Sequence, residues 1–313
     1  MIDHRMLEQT RQMNIAAAKN HLESASPIRS LTFVTGDGYR LSGIRYPAAG
    51  KRLGNIVVAG ATGVQQVFYR RFALHAASRE FDVLTFDYRG VGQSKVDSLK
   101  DLDMSFLDWG RYDLSTVVDA MYDQECPLFL VGHSYGGQAV GLLPNHQMLT
   151  AAYSFGAGAG WTGWMNRMEA IKVHTLWRVI LPVIVKWKGY MAWSTLGMGD
   201  DLPVGVYREW KRWCQYPHYF FDDPAFAYLK DHYASVAIPY VAATSTDDKW
   251  APPKSRDAFC QHYTNCDLSL LDIEAGIQRI GHMGYFRESA VPHWDRMLDW
   301  FLGLDATSPA LSA

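Results

Sequence analysis

Phe129-Leu130-Val131-Gly132-His133-Ser134-Tyr135-Gly136-Gly137 is the stretch on which the reading of this chain turns. An apolar run from Pro127 to Val131 has the length and composition of a buried strand. It breaks into Gly-x-Ser-x-Gly and continues into Gln138-Ala139-Val140-Gly141-Leu142-Leu143, which is able to start a helix. A serine on so sharp a strand-to-helix turn is held in a strained backbone conformation, and small residues are needed at Gly132 and Gly136 because strand and helix crowd the turn. The hydroxyl then stands clear at the carboxyl edge of a sheet. The first amides of the following helix point at the same spot, so the Tyr135 N–H is the expected donor to an oxyanion forming on a substrate carbonyl. Taken alone, the pentapeptide reads equally well as an ordinary turn or helix N-cap serine, so its partners decide the matter.

Outward from that turn, strands alternate with helices. Ser30 to Thr35 and Tyr39 to Tyr46 flank Gly36-Asp37-Gly38, a hairpin signal. Asn55 to Ala59 is a fully apolar strand closed by Gly60-Ala61-Thr62-Gly63. A helical pattern follows in Val67 to Arg79, with Phe68, Phe72, Leu74 and His75 on one side. Phe81 to Phe86 is a strand running into Asp87-Tyr88-Arg89-Gly90, a charged turn that braces its neighbours. Leu114 to Tyr122 reads as helix and Leu149 to Phe155 as strand. Strands apolar on both faces imply a parallel sheet covered on two sides, so the predicted class is α/β, mostly parallel and doubly wound.

The alternation stops at Trp161 and resumes with the strand Ile238 to Thr244, then a helix (Lys254 to Tyr263), a strand (Leu268 to Ile273) and a closing helix (Val291 to Leu302). The intervening stretch of about 70 residues is too long for a structureless loop and carries Trp161, Trp164, Trp177, Trp187, Trp193, Trp210 and Trp213. We therefore expect a core of residues 30–160 and 235–313, a helical Trp-rich cap over 161–234, and a helical leader over 1–29. Self-packing is the plain reading of most of the cap rings. Trp177, Trp187 and Trp193 also suggest contact with a membrane surface.

Composition narrows the class. With 30 basic and 32 acidic residues in 313 and no long Lys/Arg run, the footprint of a nucleic-acid binder is missing. Cys126, Cys214, Cys260 and Cys266 have no CxxC spacing, so we expect free thiols, no metal site and no cofactor. Met1 to Ser30 carries charges throughout and has no apolar core of a signal peptide, which reads as cytoplasmic. Leu176 to Trp193 is interrupted by Arg178, Pro182, Lys186 and Lys188, too polar for a bilayer span.

A serine hydroxyl needs a base, and the base needs an orienting group. Each is expected in a loop just after a strand. Asp248 fits as the acid, in Ser245-Thr246-Asp247-Asp248, with Asp247 a positional alternative; Asp272 lies inside a strand and is weaker. His282 fits as the base, in Gly281-His282-Met283-Gly284. His133 points away from the serine on the turn and reads as packing. The second oxyanion donor is expected from the loop after Asn55 to Ala59: the Ala61 N–H first, Thr62 next.

Together, Gly-His-Ser-Tyr-Gly-Gly, Phe86-Asp87-Tyr88-Arg89-Gly90, Asp247-Asp248-x-x-Ala251-Pro252 and Gly281-His282-x-Gly284-Tyr285 resemble the α/β-hydrolase superfamily. The resemblance is greatest to a bacterial predicted hydrolase group labelled serine aminopeptidase-like or lysophospholipase-like. It covers the chain after about residue 30, and it implies Ser134, Asp248 and His282 as a catalytic triad. Ala59-Gly60-Ala61-Thr62-Gly63 departs from the His-Gly-x-Gly of many such hydrolases. The expected function is cleavage of a small to medium, fairly lipophilic carboxylic ester through an acyl-enzyme. Acyl transfer and aminopeptidase-like amide hydrolysis are the alternatives on the same residues, with Asp200, Asp201 and Glu209 available to hold a free amine. A binding protein on the same frame is the non-enzymatic alternative, and an intact set of three side chains argues against it.

Overall fold

A computed structural model describes residues 27–276 and 279–305, so the predicted leader falls almost wholly outside the described residues. Eight strands form one sheet: β1 (Arg29–Val34), β2 (Arg40–Tyr46), β3 (Gly54–Ala59), β4 (Phe81–Phe86), β5 (Leu128–His133), β6 (Ala151–Phe155), β7 (Pro239–Ser245) and β8 (Asp267–Ile273). Their order is β1-β2-β4-β3-β5-β6-β7-β8. The β1–β2 hairpin joins β4 antiparallel, and every pair from β4 to β8 is parallel. The central strands β3, β4, β5 and β6 are buried along their whole length. Successive side chains point to opposite faces. Val57 and Leu130 therefore pack into one core layer, and Ile56, Val58, Phe129 and Val131 into the other. Helices cover both faces, as the unbroken apolar runs require.

The helices are α1 (Arg70–Ser78), α2 (Ser115–Met121), α3 (Tyr135–Gln138), α4 (Arg167–Thr175), α5 (Leu181–Lys188), α6 (Val204–Trp213), α7 (Leu229–Ala234), α8 (Pro253–Cys260) and α9 (Val291–Asp305). Three details differ from expectation. On α1 the buried side is Phe72, Ala73, Ala76 and Ala77. Leu74 is 39% exposed, because the alanines let the helix lie close to the sheet and Leu74 falls on the opposite side. The helix after Ser134 is short and tightens into a 3-10 turn at Ala139–Leu142. Of the three tryptophans that suggested lipid contact, Trp177 and Trp193 are buried and only Trp187 is exposed.

Between β6 and β7 the chain is helical, with one isolated bridge between Met191 and Leu202. Its buried side chains, among them Trp177, Leu181, Trp193 and Trp213, merge with the core layer on one face of the sheet. The Asp87–Gly90 turn is a brace, as its composition suggested. Asp87 accepts from the Gln66 and Gln93 amides at 2.7 and 3.0 Å, and the buried Arg89 guanidinium bridges Asp37 and Asp113. None of the four cysteines is in a disulfide.

Candidate active site

β5 ends at the elbow, and the elbow's glycines have a steric cause. A Cβ at Gly132 would lie 2.5 Å from the Gly137 nitrogen, and one at Gly136 would lie 2.0 Å from the Ala59 carbonyl oxygen. Between them Ser134 sits at φ 52°, ψ −112°, a conformation that side-chain-bearing residues rarely adopt. The strain is held by the Ser134 N–H donating to the Phe155 carbonyl and by the Gly137 and Gln138 amides donating to the Ser134 carbonyl, at 2.9, 3.0 and 3.2 Å. The Tyr135 N–H, first in α3, has no acceptor among the described residues.

Three side chains from distant parts of the chain meet here. His282 Nε2 lies 3.0 Å from Ser134 Oγ, and His282 Nδ1 lies 2.9 Å from Asp248 Oδ2. Asp248 also accepts from Tyr285 Oη–H at 2.8 Å and, through Oδ1, from the Trp250 and Ala251 amides at 2.9 Å each. Burial alone would raise the pKa of this carboxyl. The His282 ring and the donors around it outweigh burial and hold it below its ordinary value. An ionised Asp248 fixes the proton of His282 on Nδ1, which leaves Nε2 as acceptor for the Ser134 hydroxyl. A hydroxyl in that position can pass its proton to the ring as it attacks an electrophilic carbonyl. The neighbouring Asp247 is turned elsewhere: it accepts from Ser245 Oγ–H and the Gly281 N–H at 2.6 and 2.8 Å, tying the acid loop to the histidine loop. Asp272 pairs instead with Arg256 at 2.7 Å.

Two sequence expectations need correcting. The Ala61 N–H is already committed, donating to Tyr69 Oη at 2.7 Å, whereas the Thr62 N–H has no acceptor among the described residues. And His133 is more than packing. Burial raises the Tyr69 phenol, so it keeps its proton and donates to His133 Nδ1 at 3.0 Å. His133 Nε2–H in turn donates to the His282 carbonyl at 2.8 Å. Buried among Phe68, Tyr69, Tyr285 and Phe286, His133 is held neutral, its pKa pushed down to about 3 by lost hydration and by the nearby His282. A single neutral ring thus links the β3 loop, the elbow and the backbone of the catalytic-base candidate. Tyr69 and Tyr285 were missed in the sequence. Tyr285 lies three residues beyond His282 and was detectable there, but no spacing rule pointed to Tyr69.

Above the group, aromatic rings form a chain. Trp250 stacks over His282 with ring centroids 6.3 Å apart, Trp210 lies 6.5 Å from Trp250, and Trp177 lies 5.1 Å from Trp210. A cleft of about 440 Å³ opens at the seam between Trp164, Met165 and Asn166 and the acid loop at Asp247, Asp248 and Lys249. The acidic residues considered as amine anchors are all engaged. Asp200 accepts from the Gly92 N–H and Gln65 Nε2–H and pairs with Lys95. Asp201 accepts from the Ser194 N–H, and Glu209 from the Phe106 N–H and Ser105 Oγ–H. Among the described residues no cluster of His, Cys, Asp and Glu is placed to hold a metal ion, and no helix is long and apolar enough to cross a membrane.

A protein-family model described as the alpha/beta hydrolase family matches residues 56–272. No curated protein matches the chain. Among solved structures, a soluble variant of monoglyceride lipase from Saccharomyces cerevisiae is similar with a TM-score of 0.64 at 15% identity, over 92% of this chain and 98% of that one. A carboxyl esterase from Bacillus coagulans gives 0.61 at 14% identity, over 90% and 99%. Est1E from Butyrivibrio proteoclasticus gives 0.57 at 14%, over 90% and 100%. At these identities the likeness is one of fold.

Proposed function

This chain belongs to the alpha/beta hydrolase family, and from that premise we propose that it is a serine hydrolase that cleaves carboxylic esters of fairly lipophilic, small to medium substrates. The observation that carries the reading is the hydrogen-bonded line from Ser134 Oγ through His282 to Asp248, at 3.0 and 2.9 Å, on a strained elbow. Ser134 Oγ attacks the ester carbonyl while His282 Nε2 takes its proton. The oxyanion is met by the Tyr135 N–H and, since the Ala61 amide is engaged, by the Thr62 N–H; one such donor is worth about 3 kcal/mol. His282 then protonates the leaving alcohol, and water, activated by the same ring, releases the acid and frees Ser134. Asp248 orients the ring and stabilises its charged form.

The lipophilic preference is supported by the rings of Trp250 and Trp210 above His282. The engagement of Asp200, Asp201 and Glu209 weighs against an aminopeptidase, which needs a free carboxylate to hold the substrate amine. Ser134→Ala tests the reading. Turnover of p-nitrophenyl butyrate should fall by roughly 10⁵- to 10⁶-fold with an unchanged circular dichroism spectrum. Retained turnover in that variant would remove the proposal.

A further inference from the structure

The cap carries a feature that acyl chemistry does not use. α4 and α5 are joined through a π-turn at Leu176–Ile180 into one helical run over 167–188. Val173, Trp177 and Leu181 are buried along its inner side. The extra residue of the π-turn keeps later positions in register with earlier ones, so the outer side is continuous. That outer side is apolar where a solvated helix would be polar. Met168, Ile171, Val179 and Val183 are 67%, 55%, 59% and 66% exposed, and Trp187 is 79% exposed. With Ile180, six of the fourteen exposed large hydrophobic side chains in the described residues fall within this one run, so they form a ridge rather than a scatter.

Charge decides what the ridge meets. Arg167, Lys172, Arg178, Lys186 and Lys188 lie in the same run against a single anion, Glu169, which pairs with Lys172 at 3.5 Å. Two copies facing each other through this surface would bring five cations against five. A neutral apolar partner would leave them uncompensated. We propose that the outer side of the 167–188 run docks on the surface of an anionic lipid bilayer, lying flat with its apolar ridge among the acyl chains and its cations at the headgroups. The inner side of the same helix carries Trp177, which leads through Trp210 and Trp250 to His282. Docking therefore seats the roof of the site on lipid. Resting on the ester reading, this names the substrate class as an acyl ester taken from a membrane.

The test uses the full chain with large vesicles of phosphatidylcholine, with or without phosphatidylglycerol, in sedimentation. The protein should pellet with the anionic vesicles and bind the neutral ones about tenfold more weakly. Val183→Asp with Trp187→Asp, and separately Arg178→Glu with Lys186→Glu, should each weaken anionic binding about tenfold. Both variants should leave p-nitrophenyl acetate turnover at the parent value. Absent binding, or binding undiminished in both variants, overturns docking. So does a dimer in solution that Val183→Asp with Trp187→Asp dissociates, since the ridge then belongs to a second copy. Vesicle binding by a protein that turns over no ester upholds docking and removes the ester reading instead.

Discussion

The loops at the carboxyl edge of the sheet and the helical segment that meets them through Trp210 and Trp250 are held together in opposite ways. Below, Asp248, His282, Ser134 and His133 are tied by directed hydrogen bonds. Above, Trp177 and Trp193 each meet Trp210, and Trp213 meets Tyr219, by ring contact with few polar constraints. Directed bonds fix an atom's position to a fraction of an ångström, which proton transfer requires. Ring packing fixes volume and apolarity, which suits selecting a substrate by bulk.

If this division holds, changes in the floor act on kcat and changes in the roof act on KM. The largest effect beyond loss of the serine itself is expected from Asp248→Asn. The amide stabilises the wrong tautomer of His282, so kcat should fall roughly 10⁴-fold with KM little changed. Asp247→Asn, one residue away, loses only its turn bonds and should stay within about tenfold of the parent. Steady-state kinetics of the pair measures how sharply the floor is specified, and equal losses would break the comparison. Trp210→Ala should raise KM for a long-chain p-nitrophenyl ester by about tenfold while leaving kcat for the acetyl ester near the parent value, in line with the worth of lost apolar contact. A matching fall in kcat for both esters would place the roof in the chemistry.

The smallest effect expected is one of stability. His133 has a folded pKa near 3, below the roughly 6.5 of an unfolded histidine, so the unfolded chain takes up the proton first. Its contribution to stability is complete above about pH 6.5 and is lost as pH falls from there toward 3. Urea unfolding of the wild type should weaken between pH 7 and 5 more steeply than that of His133→Gln, by at most about 1.4 kcal/mol per pH unit. Identical slopes would mean that this ring does not stay neutral in the folded protein.

Most of the floor was legible in the sequence because its elements are written locally. An apolar strand, two glycines with a steric duty and loops placed just after strands point to Ser134, Asp248 and His282 without long-range information. Position after the strand favoured Asp248 over Asp247 without excluding the latter, since alternation along a loop is not fixed by any period; it is Asp248 Oδ2 that meets His282 Nδ1, while Asp247 takes the Gly281 N–H. Nor was the pairing of Tyr69 with Ala61 and His133 readable, because contacts between α1's approach and the elbow depend on how closely the helix lies on the sheet. The roof was legible only as composition. The same tryptophans serve as buried packing at Trp177 and Trp193 and as exposed surface at Trp187, and nothing in their spacing separates the two.

An activated serine is the claim on which the rest depends, and reaction with an alkyl fluorophosphonate tests it most directly. One adduct per chain is expected, located by peptide mass spectrometry on Ser134, and its rate of formation should collapse in His282→Ala. A native protein that stays unlabelled, or an adduct formed on another residue, would contradict the account.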